Sequence, residues 1–469
     1  MKKLSIWLLV VFFVLSMAFV GIGCKEEVVP VEAAEEEGVA EEVAPVVVEE
    51  EEGIFSKPTE LIFWWWGEED APGFSKYIDA MAAEYNKIHP NITVTPVLQS
   101  TADTVPAFIA AAEAQSGPDI ATVWYGMYNL ETAVWPGYAV PLNDYISEEE
   151  LSHWIGRKLE SYDGKVWASD LYAYATLILY NKDHFRDAGL DPETPPKTWD
   201  DFMDYSEKLK NAGHAPFAAG FKGGWMFPVL GYFIYPQYLT LDEMKQAVVG
   251  EISFADPILQ DAWQKIDDYS RAGYFIESAS SIDLAEAYQE WRKGTGTFAE
   301  ISSQQAMAWL EELGSEHAGV MYWPEMTDNP VDWVPVCKVS EFITSWSPNK
   351  ELAADFLTFL HSDLSFQKMQ EIHPYSVPAD DRFDVSTVTD PVKQDIFEMI
   401  YSGYKNEKFF IDSVIPYPIM GDGMIPGGQE LIIQKISPEE AAQMTEDAAA
   451  TWRELNPEAL EKYKSWVND

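Results

Sequence analysis

The chain has 469 residues and carries 78 acidic against 31 basic side chains, a formal charge of −47 at pH 7. So negative a chain, with no basic patch, is repelled by phosphate backbones, which excludes nucleic-acid recognition. The acidity suits solubility or a salty environment better than recognition of a cationic ligand, and the length exceeds one ordinary core and suggests two lobes.

The N-terminus reads as an export signal. Lys2 and Lys3 precede an almost wholly apolar run from Leu4 to Val20, and the small residues Gly21-Ile22-Gly23 lead to Cys24. The run is nearly long enough to span a bilayer, but a cysteine directly after a small-residue site favours cleavage. The site resembles a bacterial lipobox, with Gly21 where that pattern usually has Leu. The resemblance implies that residues 1–24 form a lipoprotein signal whose Cys24 is lipidated and anchors the mature chain to the membrane. Lys25 to Gly53 holds twelve Glu among Val, Ala and Pro. Lacking aromatics and periodicity, it cannot bury enough apolar surface to order itself. We expect a disordered acidic linker over 25–57. With Cys24 modified, Cys337 stands alone in an apolar stretch and reads as a buried, inert thiol.

The body starts near residue 58 and alternates short apolar runs with amphipathic helices. Strands are expected at Glu60–Trp66, Ile92–Leu98 and Asp119–Trp124, and helices at Tyr77–Ile88 and Thr104–Gln115. This β-α-β-α-β order argues for a largely parallel sheet covered by helices, an α/β fold. Thr198 with Asp201 three residues on starts a helix that ends near Gly213. Asp256-Pro257 opens another, ending at Gly273. Ser347-Pro348-Asn349-Lys350 and Ser437-Pro438-Glu439-Glu440 each place Pro at a first helical position.

In such folds ligands sit beyond the carboxyl ends of the strands and between domains. The first strand runs out through Trp65, Trp66, Glu68, Glu69 and Asp70. Strict alternation sends Trp65 opposite to Trp64 and Trp66, and Trp66 is the expected ligand contact. The third strand runs out at Trp124 and Tyr125, and a later one, Thr297–Ile301, at Glu300 and Ser303. Aromatic faces pack on the C–H faces of a sugar ring, while carboxylates and hydroxyls bond its hydroxyl groups. Trp199 starts a helix and reads as packing.

Catalytic constellations are weak. The seven His show no metal-ligand spacing. Ser347 and Lys350 have the serine–lysine spacing of penicillin-binding enzymes, but their Pro-containing setting reads as a helix start. A glycosidase needs only two carboxylates, which an acid-rich chain does not lack. No enzyme activity, cofactor or metal is expected.

The runs Leu177-Ile178-Leu179-Tyr180-Asn181-Lys182-Asp183-His184-Phe185 and Pro195-Pro196-Lys197-Thr198-Trp199-Asp200 resemble the signature of extracellular solute-binding proteins of carbohydrate ABC transporters, relatives of the maltose-binding protein. Phe63-Trp64-Trp65-Trp66-Gly67 and Gly117-Pro118-Asp119-Ile120 match as well. The resemblance implies a two-lobed periplasmic-binding-protein-like fold of type II, with discontinuous lobes joined by a hinge around a ligand cleft. On that template one lobe takes 58–172 and 320–360, the other 173–319 and 361–469. Tyr172 opens the first crossing and joins the candidate contacts. Trp225 and Phe227 fall where the family places an aromatic binding segment. The C-terminal cleft loop maps to Pro418–Gly428, with Met420 in place of the usual aromatic. The implied function is capture of a mono- or oligosaccharide by a monomer outside the cytoplasmic membrane and delivery to ABC permease subunits. The alternatives are a lipoprotein glycoside hydrolase and a receptor for a non-sugar solute.

Overall fold

The computed structural model describes residues 53–68, 71–100 and 103–468. The expected signal and Cys24, nearly all of the acidic linker, Glu69 and Asp70 lie outside them. Among the described residues no helix is long and apolar enough to cross a membrane.

The first half of the chain builds β1 (Thr59–Trp65), β2 (Ile92–Leu98) and β3 (Ile120–Thr122), linked by the helices Ser75–Ile88 and Thr104–Ala114. Both β2 and β3 pair with β1 in parallel, as strands joined by crossover helices must. A hairpin of β4 (Ser161–Tyr162) and β5 (Lys165–Val166) turns through Asp163 and Gly164, both at positive φ, the backbone that a tight two-residue hairpin demands. Then come β6 (Ser169–Asn181), β7 (Ala215–Ala218), β8 (Gly296–Ser302), β9 (Ala318–Met321) and β10 (Val336–Ile343). The sheet runs β2-β1-β3-β10-β6-β8-β7, with β9 also on β6. It is mixed rather than largely parallel: β10 is antiparallel to β3 and β6, and β8 and β9 are antiparallel to β6.

The thirteen-residue strand β6 ties the sheet together. Residues Ser169–Ala175 pair with β10, and Thr176–Asn181 with β8 and β9. At the change of partner the Ala175 amide donates to Ser303 Oγ at 3.1 Å. Two apolar cores flank this line. One gathers Leu61, Phe63, Trp65 and Tyr77 with Phe356 and Leu357; the other includes Phe202, Tyr269, Phe298 and Trp323. Trp199 lies in the second core against Phe202, Tyr269 and Trp323, and Cys337 is buried.

Helix starts follow the caps in the sequence. Thr198 Oγ1 accepts from the Asp201 amide, Asp256 caps Pro257–Arg271, and Ser437 and Glu440 form a reciprocal capping box. Pro348 is an exception, for the helix begins at Lys350. Ser347 donates instead to Asp119 Oδ1 at 2.6 Å, while Asp119 Oδ2 accepts from the Ile62 amide. That serine fastens β1 to the segment after β10.

Candidate functional site: an aromatic cleft around Asp412

The alternation of β1 decides how its tryptophans part. Leu61, Phe63 and Trp65 face the core, and Trp65 packs on Phe74. Trp66, one residue beyond the strand, turns the other way and meets Trp124 edge to face, ring centroids 4.5 Å apart. Trp124 ends the β3 segment at φ +90°. A non-glycine residue held there is strained by roughly 1–3 kcal/mol, and such strain gathers at functional sites. Gly126, at φ +58°, completes the bend, and a Cβ there would lie 2.5 Å from the Ser413 carbonyl. Only glycine lets this loop approach the segment around Asp412 so closely.

That segment is set by the sheet. The Val336 amide donates to the Lys408 carbonyl and the Phe410 amide to the Val336 carbonyl. Phe410 is thereby carried to the start of β10 and Asp412 into the short turn that follows. Phe410 stacks on Tyr232 with centroids 4.1 Å apart and planes 9° apart, and Tyr174 of β6 meets its edge. Trp225 precedes the apolar helix Met226–Tyr238 and lies 43% exposed, its ring 6.0 Å from that of Tyr417.

These groups enclose a cavity of about 470 Å³, within the ~300–1,000 Å³ usual for small-molecule sites. Trp66, Trp124, Tyr125, Tyr128, Tyr174, Trp225, Tyr232, Phe410, Asp412 and Tyr417 line it. Asp412 is the single charged group among them. Tyr125 donates to its Oδ1 and Tyr232 to its Oδ2, each at 3.1 Å. Burial pushes the Asp412 carboxyl up to about 6, while the Tyr232 and Tyr125 hydroxyls and nearby backbone amides pull the other way. Burial and that carboxylate together hold both phenols well above their ordinary range.

Of the residues singled out in the sequence, Trp66, Trp124, Tyr125 and Trp225 line this cavity. The other described ones lie elsewhere, each for a physical reason. Trp65 is core by alternation. Glu68 accepts the Gly73 and Ser75 amides at 2.7 and 2.8 Å, and so organises the entry to the helix Ser75–Ile88. Tyr172 is buried against Phe74, and Ser303 is spent on the β6 amide. Phe227, one position along the helix from Met226, points inward onto Phe221. Met420 is buried in a π-turn. Glu300 is buried, accepts the Tyr288 hydroxyl at 2.9 Å, and is pushed by burial to about 7. Tyr128, Tyr174, Tyr232, Phe410, Asp412 and Tyr417 were not anticipated. Just upstream of Pro418–Gly428, Tyr417 lines the cavity, while Met420–Met424 and Ile425–Ile432 coil into helix. Among the described residues no group of three or more His, Cys, Asp or Glu could hold a metal ion.

Buried Ser169, His361 and Asp380 make a second polar cluster. His361 Nε2 lies 3.0 Å from Ser169 Oγ and its Nδ1 3.2 Å from Asp380 Oδ2. The spacing is that of a hydrolytic triad, but all three side chains are buried and Trp154 stacks on the imidazole at 4.1 Å.

Comparison with known proteins agrees with this architecture. Curated relatives include the sn-glycerol-3-phosphate-binding periplasmic protein UgpB of Pectobacterium atrosepticum, 30% identical over 174 residues, 36% of this chain and 38% of that protein. The Escherichia coli (strain K12) protein of the same name is 32% identical over 158 residues, 32% of this chain and 35% of its own. The chain thus spans little more than a third of the relatives it matches. Solved structures align far more completely. A chitin oligosaccharide binding protein superposes with a TM-score of 0.70 at 17% identity, over 84% of this chain and 98% of that one. The cyclic alpha-maltosyl-1,6-maltose binding protein from Arthrobacter globiformis gives 0.65 at 18%, over 88% and 100%. The fold is therefore the two-lobed α/β architecture of periplasmic solute-binding proteins. The family model for bacterial extracellular solute-binding proteins matches residues 80–396, and this chain belongs to that family.

Proposed function

We propose that the protein is the capture component of an ABC importer and takes a sugar or oligosaccharide into the cleft around Asp412. The observation that carries this reading is the cavity itself: aromatic rings gathered around a single half-buried carboxylate. Rings stack on pyranose C–H faces, and phenols, indoles and the carboxylate meet the hydroxyls. Residues 58–172 with 320–360 form one lobe and 173–319 with 361–469 the other. In that division the Tyr125–Asp412 hydrogen bond spans the cleft. Contacts from both lobes favour the closed form, so ligand and closure stabilise each other. The closed receptor delivers its ligand to the permease, as a monomer tethered through lipid on Cys24. A Cys24→Ala chain should then leave the membrane fraction or stay unprocessed; normal cleavage with continued membrane binding refutes the tether.

Two other readings fit the cavity less well. Glycerol 3-phosphate, bound by the curated relatives, calls for cationic or backbone donors, and no Lys, Arg or His lines the cavity among the described residues. Glycoside hydrolysis calls for two facing carboxyls, and Asp412 is the one carboxyl among the described lining residues. The Ser169 cluster is closed to any substrate.

Scanning fluorimetry against a sugar panel tests the reading, because a ligand of the folded state raises the melting temperature, by about 2.7 kcal/mol of stability at a hundredfold excess over Kd. A shift with glycerol 3-phosphate and with no sugar refutes it.

A further inference from the structure

We infer that the solute carries a protonated amine, and that this amine sits against Asp412 under the aromatic faces of the cleft; the inference rests on the proposed sugar capture and narrows it to an amino sugar. Three observations support it. Among the described residues Asp412 brings the only formal charge to the cavity lining, and the groups that act on it are the phenols of Tyr125 and Tyr232 and backbone amides. A second acid, Glu300, lies near enough to act on Tyr232 and is held by the Tyr288 hydroxyl; burial raises it to about 7, so it adds a partial negative charge at pH 7. The negative field therefore converges on the cleft, and among the described lining residues no basic side chain answers it.

The walls suit a cation as well. Trp66 and Trp124 meet edge to face, and Tyr232 and Phe410 stack as a slab. Aromatic faces within about 6 Å attract an ammonium group, most strongly where water is excluded. A neutral sugar stacks on those faces and its hydroxyls bond the carboxylate without neutralising it, whereas an ammonium group restores the charge balance lost when the cleft closes. The chain's net charge of −47 attracts cations at long range.

The test is calorimetric titration of the intact protein at pH 7 with glucosamine and its 1,4-linked dimer, against glucose and cellobiose as neutral counterparts, with glycerol 3-phosphate as an anion. The amine forms should bind at least about tenfold more tightly than their neutral counterparts, the scale of a hydrogen bond between charged groups. Asp412→Asn, nearly isosteric, should reduce that ratio to about twofold or less. Circular dichroism and melting verify that the variant is folded. Equal affinity for amine and neutral forms in the parent overturns the amine assignment and leaves sugar capture standing, as does a preference that survives in Asp412→Asn. Binding of glycerol 3-phosphate alone overturns both, and binding of none of these probes overturns the amine assignment and leaves sugar capture to the wider panel.

Discussion

Asp380 is fully buried and Asp412 half-buried in the cleft, and their surroundings drive the two aspartates in opposite directions. Burial raises both carboxyls. At Asp380 it is outweighed by Arg382, whose Nε and Nη2 donate at 2.8 and 2.6 Å, and by His361, so the carboxyl is held down to about 2. Arg382 also reaches Glu150, and it is held protonated well beyond its usual range. At Asp412 only neutral donors face the acid, burial prevails, and the carboxyl rises to about 6. One site is compensated within the fold and the other is not. A compensated charge locks structure, while an uncompensated one in a cavity favours a ligand that completes it.

The largest expected effect tests the locked side. Asp380→Ala leaves Arg382 and His361 without their carboxylate and should cost about 3–5 kcal/mol in urea unfolding at pH 7. In the parent the Asp380 term has a definite sign. Its folded value lies below the ordinary one, so its stabilisation is full above about pH 4 and is lost as pH falls towards 2. A loss below about 1 kcal/mol would mean that the cluster locks nothing. Trp199→Ala, a pure packing change, belongs in the same range of about 3–5 kcal/mol and should leave ligand affinity unaltered.

Asp412→Asn should act in the opposite sense. The folded carboxyl is raised from 3.8 to about 6, so ionisation burdens the native state as pH rises from about 4 to 6, and the burden is complete above that. Removing the charge should stabilise the ligand-free protein by roughly 2–3 kcal/mol at pH 8, and by little at pH 4. A variant that melts lower than the parent at pH 8 would show that the phenol hydrogen bonds outweigh burial and would erase the contrast with Asp380.

Smaller effects separate cleft from core. Trp124→Ala and Trp225→Ala should each weaken sugar binding by roughly 1–3 kcal/mol if each ring covers a sugar face. The exposed Trp225 should change stability by no more than about 0.5 kcal/mol when truncated. Unfolding midpoints measured beside calorimetric affinities decide the matter: a Trp124→Ala chain that binds as well as the parent but unfolds like Trp199→Ala would move Trp124 from the cleft to the core.

Much of this was legible before any fold was drawn. Strand and helix repeats of two and 3.6 residues place β1, β2 and the helices between them, and Thr198, Asp256 and Ser437 mark helix starts by local hydrogen bonding. Alternation separates Trp66 from Trp65, since it depends only on neighbouring residues. Glu68 and Phe227 show the limit of that reasoning. Each stands beside a plausible ligand position, yet one is taken by two backbone amides and the other turns inward on its helix.

Asp412 lay beyond it altogether. Nothing in Phe410-Ile411-Asp412-Ser413 distinguishes that acid from the 77 others. Its environment is assembled by Tyr125, 287 residues away, and Tyr232, 180 residues away. The sequence by itself determined the elements, their caps and the family, because those depend on contacts within a few residues or on runs of side chains read in order. Tertiary structure alone decided which acid meets an arginine and which meets only neutral donors, because the sign of a carboxyl's shift is a sum over neighbours that folding brings together.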